Sequence, residues 1–289
     1  MNYINKQTFA QKCKSYRRHP LSLTLLLLVL LSAAIAIGVL VFLIGYILYH
    51  GVPNLTMPGL FAWEYNSENQ SMMPAIINTV IMTALTLVMA VPIGVFSAIY
   101  LVEYSKKGNK LVNIIRITAE TLSGIPSIVY GLFGYILFVI NLGWGYTLLS
   151  GAITLAIMIL PLIMRTTEEA LMAVPDSFRE GSFGLGAGRL RTVFRIVLPT
   201  AVPGILAGII LSIGRIVGES AALIFTAGTN PVVPDSLFAS TSTLSVHLYT
   251  LLTEGLYTDQ AYAVAVVLLV VVILINALSG ALAKKLTNK

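Results

Sequence analysis

Two charged residues stand where charge is costly. Arg215 and Glu219 lie inside an otherwise apolar run, residues 200–227. Arg215 follows Pro203 by twelve positions. That is about 18 Å along a helix, slightly past the middle of a roughly 30 Å hydrocarbon core. An arginine at that depth costs roughly 2.5–3.5 kcal/mol on insertion scales, and an ionisable residue there is a functional candidate by default. Its guanidinium offers a fixed fork of donors that matches a tetrahedral oxyanion. Glu219 comes four residues later, one helical turn away on the same face. Two readings are open. The pair neutralise each other as a structural ion pair, so that removing one harms folding. Alternatively they line a path for an anion, with Glu219 holding Arg215 in position or repelling the anion so that it does not stay bound. Gly214 and Gly218 form a small-xxx-small stripe beside them, which lets a neighbouring helix approach.

The sequence contains little other chemistry. There is no G-x-x-x-x-G-K-[ST] phosphate loop, and no Gly-Lys dipeptide at all. H-E-x-x-H, paired cysteines and a nucleophile elbow are missing too. Cys13 is the one cysteine, so no internal disulfide forms, and His19, His50 and His247 lie too far apart in sequence to suggest a metal site. No cofactor is expected on this chain. These absences argue against an enzyme working alone. They leave a channel, a secondary transporter, or a transport subunit powered by another protein.

The element that must hold Arg215 and Glu219 is a membrane span, and the rest of the chain has the same character. Of 289 residues, 10% are charged and 57% apolar, and mean hydropathy is +0.88. A soluble domain carries about 25% charged residues; with so few, neither a soluble fold nor a disordered chain is tenable. A span needs about 20 apolar residues. Such runs occupy residues 21–49, 75–102, 122–140, 147–164, 200–227 and 261–283. The expectation is an all-α polytopic membrane protein of six transmembrane helices. It divides into an N-terminal tail 1–20, a first helix 21–49, and a core domain 70–285. The first run continues well past Ala34-Ile35-Ala36, too long for a cleaved signal core.

Seventeen of the eighteen Lys and Arg residues lie in the tail, in the links after spans two and four, and after span six. The segments 50–74, 141–146 and 228–260 hold none, and carry Glu64, Glu68, Asp235, Glu254 and Asp259 instead. Basic residues stay on the cytoplasmic side, so both termini are predicted to be cytoplasmic. The net charge of +6 thus follows topology, and no nucleic-acid partner is implied. Trp63 and Trp144 fall near outer span ends, as interfacial anchors do. The stretch 114–122 mixes Arg116 and Glu120 with apolar residues, as a helix along the cytoplasmic interface would.

The cytoplasmic loop 165–199 is unusually structured. Pro175-Asp176 ends the helix leaving span four. Ser177-Phe178-Arg179-Glu180 then reads as an S-x-x-E capping box, in which Ser177 accepts the Glu180 amide and the Glu180 carboxylate bonds back to Ser177. A short helix is predicted from 178 to about 185, with Gly186 and Gly188 suited to a left-handed exit. A second helix, 189–198, stops or kinks at Pro199. On local features alone this is an ordinary helical turn or a surface that docks on another protein.

Glu180-Gly181-Ser182, three residues, Gly186, nine residues, then Ile196-Val197-Leu198-Pro199 resembles the EAA loop of ABC importer permeases. Gly181 and Ser182 stand where that family has two alanines. Pro92-Ile93-Gly94 with Ala98-Ile99-Tyr100-Leu101-Val102-Glu103-Tyr104, the stretch Gly124-Ile125-Pro126-Ser127-Ile128-Val129-Tyr130-Gly131, and Gly214-Arg215-Ile216-Val217-Gly218-Glu219-Ser220 are similar to segments of phosphate importer permeases of the PstA type. The resemblance implies a type I importer permease bundle, MetI-like, in the cell (inner or plasma) membrane. It implies four kinds of neighbour: a second homologous, PstC-like permease, a pair of PstB-like ATP-binding subunits, a PstS-like extracytoplasmic binding protein, and the lipid bilayer. ATP would be bound by the partner ATPase. Ser177, Glu180, Gly181, Ser182, Gly186 and Pro199 would couple to that ATPase, and Arg215 and Glu219 would line the path. An acceptor such as Glu219 would favour protonated phosphate, which can donate a hydrogen bond, over sulfate, which cannot. A permease for sulfate, molybdate or phosphonate is the alternative within the family.

Overall fold

A computed structural model describes residues 20–66, 69–106 and 108–287. The tail call 1–20, with five of the basic residues counted above, falls almost wholly outside the described residues, as does Glu68. Every regular element among the described residues is helical. Helix α1, Pro20–Gly51, forms a unit of its own. It carries no charge between residues 21 and 49, and at 1.5 Å per residue its 32 residues reach about 48 Å. Thr24 and Ser32 satisfy their hydroxyls on the carbonyls of Leu21 and Val29, both at 2.9 Å. Most of its other side chains are apolar and exposed, as a lipid-facing helix requires.

The second unit begins at Gly51. It contains α2 (Met73–Ile99, ending in a π turn, Tyr100–Tyr104), α3 (Lys110–Ser123), α4 (Ser127–Gly134, widening into a π turn, Tyr135–Asn141) and α5 (Leu148–Met172). Then follow α6 (Asp176–Gly184), α7 (Arg189–Thr192) and α8 (Leu198–Val217), the last two joined by a π turn, Val193–Val197. After them come α9 (Ala221–Thr226), α10 (Leu244–Glu254) and α11 (Thr258–Thr287). Five helices are long and apolar enough to span, and α3 with α4 would make a sixth as a bent pair.

Helix α5 is the centre. Two thirds of its most apolar stretch (67%) is buried, against a third or less for α2, α8 and α11. It is apolar on most sides: Leu155, Met158, Ile159 and Ile163 are fully buried. Glycines on its neighbours bring backbones close. A Cβ at Gly94 of α2 would meet Ile163 at 2.8 Å, and one at Gly208 of α8 would collide with Thr166. Close backbone approach replaces the hydrophobic drive that lipid does not supply. Some buried hydroxyls are satisfied within their own helices, as Thr154 on Ser150 and Thr83 on Thr79, both at 2.7 Å, whereas those of Thr86 and Thr167 find no partner among the described residues. The free amides at the start of α5 are met by the loop between α9 and α10: Leu148 and Leu149 donate to the carbonyls of Ala239 and Leu237, both at 2.9 Å.

Two predicted spans differ from their apolar runs. The third, 122–140, starts later than predicted: its first residues end α3, which covers the expected interfacial stretch 114–122, and the span begins at α4, the two meeting at 101°. Pro126 lacks an N–H and pushes Ile125 out of the helical region, so α3 ends at Gly124 and α4 starts afresh at Ser127. The exposed Leu111, Ile114 and Ile117 of α3 suit an interfacial helix. The fifth, 200–227, breaks after Val217: Gly218 closes α8, and α9 begins three residues on.

Candidate functional site

The loop between α5 and α8 is built from the turn at its start. Pro175, with extended ψ (138°), caps α6, which begins at Asp176. The predicted capping box is therefore absent: Ser177 sits inside the first turn, no side chain caps the helix, and Glu180 is exposed. Pro175 supplies the chain reversal, so α6 starts two residues before the predicted 178. Its exit is as expected. Gly186 has φ +80°, and the amides of Gly186 and Ala187 close on the carbonyls of Phe183 (2.9 Å) and Ser182 (3.1 Å), the Schellman arrangement that needs a left-handed residue. Gly188, by contrast, is extended. Ser182 is buried at 6% exposure and its hydroxyl meets that of Thr192 at 2.8 Å, which fastens α6 to α7. A Cβ at Gly181 would meet nothing within 4 Å, so the chain itself does not require glycine there.

Pro199 does not stop its helix. The π turn Val193–Val197 precedes it and Pro199 takes an early position in α8, where no amide is needed, so the path continues. Ser177, Gly181 and Ser182 face the same cavity as Phe178, Leu185, Arg191 and Arg195, an open space of about 650 Å³. Around it Phe183, Leu185, Leu190 and Phe194 are exposed. Glu180 is not among the lining residues and Pro199 lies further along the helix.

One arrangement here was not foreseen. Arg179 of α6 donates to Glu103, 76 positions earlier, from Nη2 at 2.7 Å and Nε at 3.1 Å. It also donates to the carbonyls of Leu171 (2.9 Å) and Val174 (2.7 Å) and to Asp176 (3.2 Å). The two side chains are 14% and 8% exposed. The sequence signal was the two residues' types alone: an acid ending an apolar span and an arginine in the loop, with nothing to say they meet.

Arg215 and Glu219 are not paired. The helix carrying Arg215 ends at Val217, so the two do not share a face. Glu219 is 8% exposed, and its carboxylate accepts the Ala222 amide at 3.1 Å, capping α9, while its carbonyl accepts the Ser245 hydroxyl of α10 at 2.6 Å. Arg215 lies in the last turn of α8, where the partial negative charge of the helix end favours a cation. Each charge thus has its own helix end. Among the described residues no hydrogen bond or ion pair holds the half-buried Arg215 guanidinium.

Among the described residues no group of three His, Cys, Asp or Glu could hold a metal ion. His247 is buried on α10 beside Tyr65, ring centroids 6.1 Å apart, and burial pushes its pKa below the usual value, so the ring stays neutral.

Residues 90–288 match the family described as the binding-protein-dependent transport system inner membrane component. A probable ABC transporter permease protein of Bacillus subtilis, YqgI, is 36% identical over 249 residues, covering 79% of this chain and 82% of that one. The phosphate transport system permease protein PstA 1 of Mycobacterium tuberculosis is 36% identical over 205 residues, 70% and 67% of the two chains. In structure, the chain is similar to a subunit of a bacterial ABC transporter for the acidic polysaccharide alginate (TM-score 0.67, 17% identity, 96% and 99% of the chains) and to one of the inward-facing MetNI methionine ABC transporter (0.59, 21%, 74% and 93%). With helices that break where Gly and Pro dictate, and with a structured loop between α5 and α8, the chain belongs to the family of binding-protein-dependent ABC transport permeases, as a multi-pass membrane component.

Proposed function

We propose that the chain is the pore-forming permease subunit of an ATP-driven importer of inorganic phosphate. The observation that carries this is Arg215: a guanidinium at the broken end of a spanning helix, with its four-residue neighbour Glu219 engaged elsewhere. A charge left without a protein partner in a span points to a transported counter-ion. Broken helices of this kind mark substrate sites in other transporter folds. The relative named as a phosphate transport permease supports phosphate among the oxyanions. In this reading a second permease completes the pore and a binding protein delivers the ion. Two ATPase subunits dock on the cytoplasmic side, one of them on the surface of α6 and α7, where Ser177, Gly181 and Ser182 face the cavity and Gly186 sets the exit of the docking helix. The chain itself would need no ATPase site.

The experiment is uptake of labelled phosphate into proteoliposomes holding the assembled complex, its binding protein and ATP, with sulfate, molybdate and phosphonate as competitors. ATP-dependent phosphate uptake that the others do not displace supports the reading. Uptake of sulfate in preference to phosphate, or uptake that ignores ATP, overturns it.

A further inference from the structure

Arg179 joins three segments at once: α6, on which it sits, the inner end of α5 through the carbonyls of Leu171 and Val174, and the inner end of α2 through Glu103. That end of α2 is a π turn, Tyr100–Tyr104, a local widening often found at functional sites. It is held from the other side of the loop as well, because the Arg189 guanidinium lies 5.9 Å over the Tyr104 ring. A buried charge pair is a costly way to glue helices together, and apolar groups of similar volume commonly pack as well. Its distinctive property is direction. The bonds from Nη2 and Nε converge on Glu103 Oε1 at 2.7 and 3.1 Å, with Nε also 3.4 Å from Oε2; charge-assisted bonds are directional and resist sliding and separation, whereas an apolar contact slips. From this end α2 runs outward, packed at Gly94 on Ile163 of α5, to Asn78. The Asn78 amide, fully buried, donates to the carbonyls of Val232 and Ser242 in the outer loop, both at 3.1 Å.

Resting on the reading of α6 as the element the ATPase moves, we propose that Arg179 and Glu103 are positioning residues that lock the inner end of α2 to α6. Displacement of α6 then reaches the outer loop 228–243 through α2 as one body. Apolar packing at the α5–α2 contact alone would let α6 move without carrying α2.

The test uses the full chain assembled with its partner subunits in proteoliposomes. Glu103→Gln keeps shape and an acceptor but removes the charge. The double variant Arg179→Met with Glu103→Leu removes both charges and leaves apolar groups of similar volume. Both variants are expected to assemble and to keep basal ATP hydrolysis. Phosphate moved per ATP should fall roughly tenfold in the double variant, within the usual range of coupling between linked sites, and less in the single. Spin labels on Ser105→Cys and Gly184→Cys, in a Cys13→Ser background, should keep one distance with and without trapped ATP. In the double variant that distance should change between the two states. An unchanged ratio of transport to hydrolysis overturns the proposal, and so does a loss that only tracks the amount of assembled complex. Failure of every variant to assemble also overturns it, since the pair would then be a folding requirement. A wild-type complex that hydrolyses ATP but moves no phosphate overturns the functional reading instead, and the label distances still decide the clasp.

Discussion

The hydroxyls of Ser182 and Thr192 meet at 2.8 Å in a buried position and tie α6 to α7. Thr192 keeps a second bond, to the Gly188 carbonyl at 3.2 Å. Ser182→Ala therefore leaves no orphaned group and should cost about 1 kcal/mol, the net worth of an ordinary hydrogen bond. Ser182→Leu puts a large side chain where 6% of the residue is exposed, and should force the two helices apart. Thermal unfolding of the purified complex, read beside uptake, checks both. Transport near wild type is expected for alanine, and its loss for leucine.

Gly186 shows why a loop of this kind carries glycine. At φ +80° it lies where L side chains are strained, yet an added Cβ would meet nothing within 4 Å. The strain is thus conformational only, about 1–2 kcal/mol for an ordinary residue. Gly186→Asn, which tolerates this region, should keep most transport. Gly186→Val should insert and assemble but import poorly, because the exit of α6 is rebuilt. Uptake per assembled complex separates the two. Equal activity for valine and asparagine would remove Gly186 from the coupling surface.

The sequence was informative where local chemistry decides. Apolar runs located the spans, and Gly186 announced its turn. Gly124 and Pro126 mark the bend between the expected interfacial stretch and span three, whereas Gly218 ends α8 inside run five, and reading that run as one helix hid the break. The same habit placed Glu219 on the face of Arg215, one turn away, when the helix ends between them. The capping box failed for a related reason: Ser177 and Glu180 fit the pattern, but Pro175 started the helix earlier. The Arg179–Glu103 contact lay beyond any local rule, since 76 residues separate its partners and only the packing of α2, α5 and α6 brings them together.

Orientation can be checked directly. Ser236 in the outer loop and Leu185 beyond α6, the latter 91% exposed, are both accessible. In a Cys13→Ser background, Ser236→Cys should react with an impermeant thiol reagent on intact cells. Leu185→Cys should react only after the membrane is opened. The reverse pattern would invert the topology drawn from the basic residues.

Arg215 gives the sharpest prediction, and the structure changes what should be expected of it. Were it paired with Glu219, removing either charge would strand the other at depth, at a cost of roughly 3–5 kcal/mol, and removing both would restore assembly and transport. Instead Glu219 accepts the Ala222 amide, and a glutamine there keeps an acceptor oxygen. Glu219→Gln should therefore assemble, losing no more than about 1 kcal/mol of stability, although it can slow transport if the charge helps release the ion. Arg215→Gln removes a cation that no acid neutralises, so assembly should be intact or slightly improved. On the proposed pathway role its uptake should collapse, because the missing group would be the one that meets the anion. Phosphate uptake normalised to assembled complex, for both single variants and the double, distinguishes the cases. Assembly in all three with transport absent wherever Arg215 is replaced is the expected pattern. Full transport by the double variant would mean that the charge at 215 serves only the fold, and the pathway assignment would fall with it.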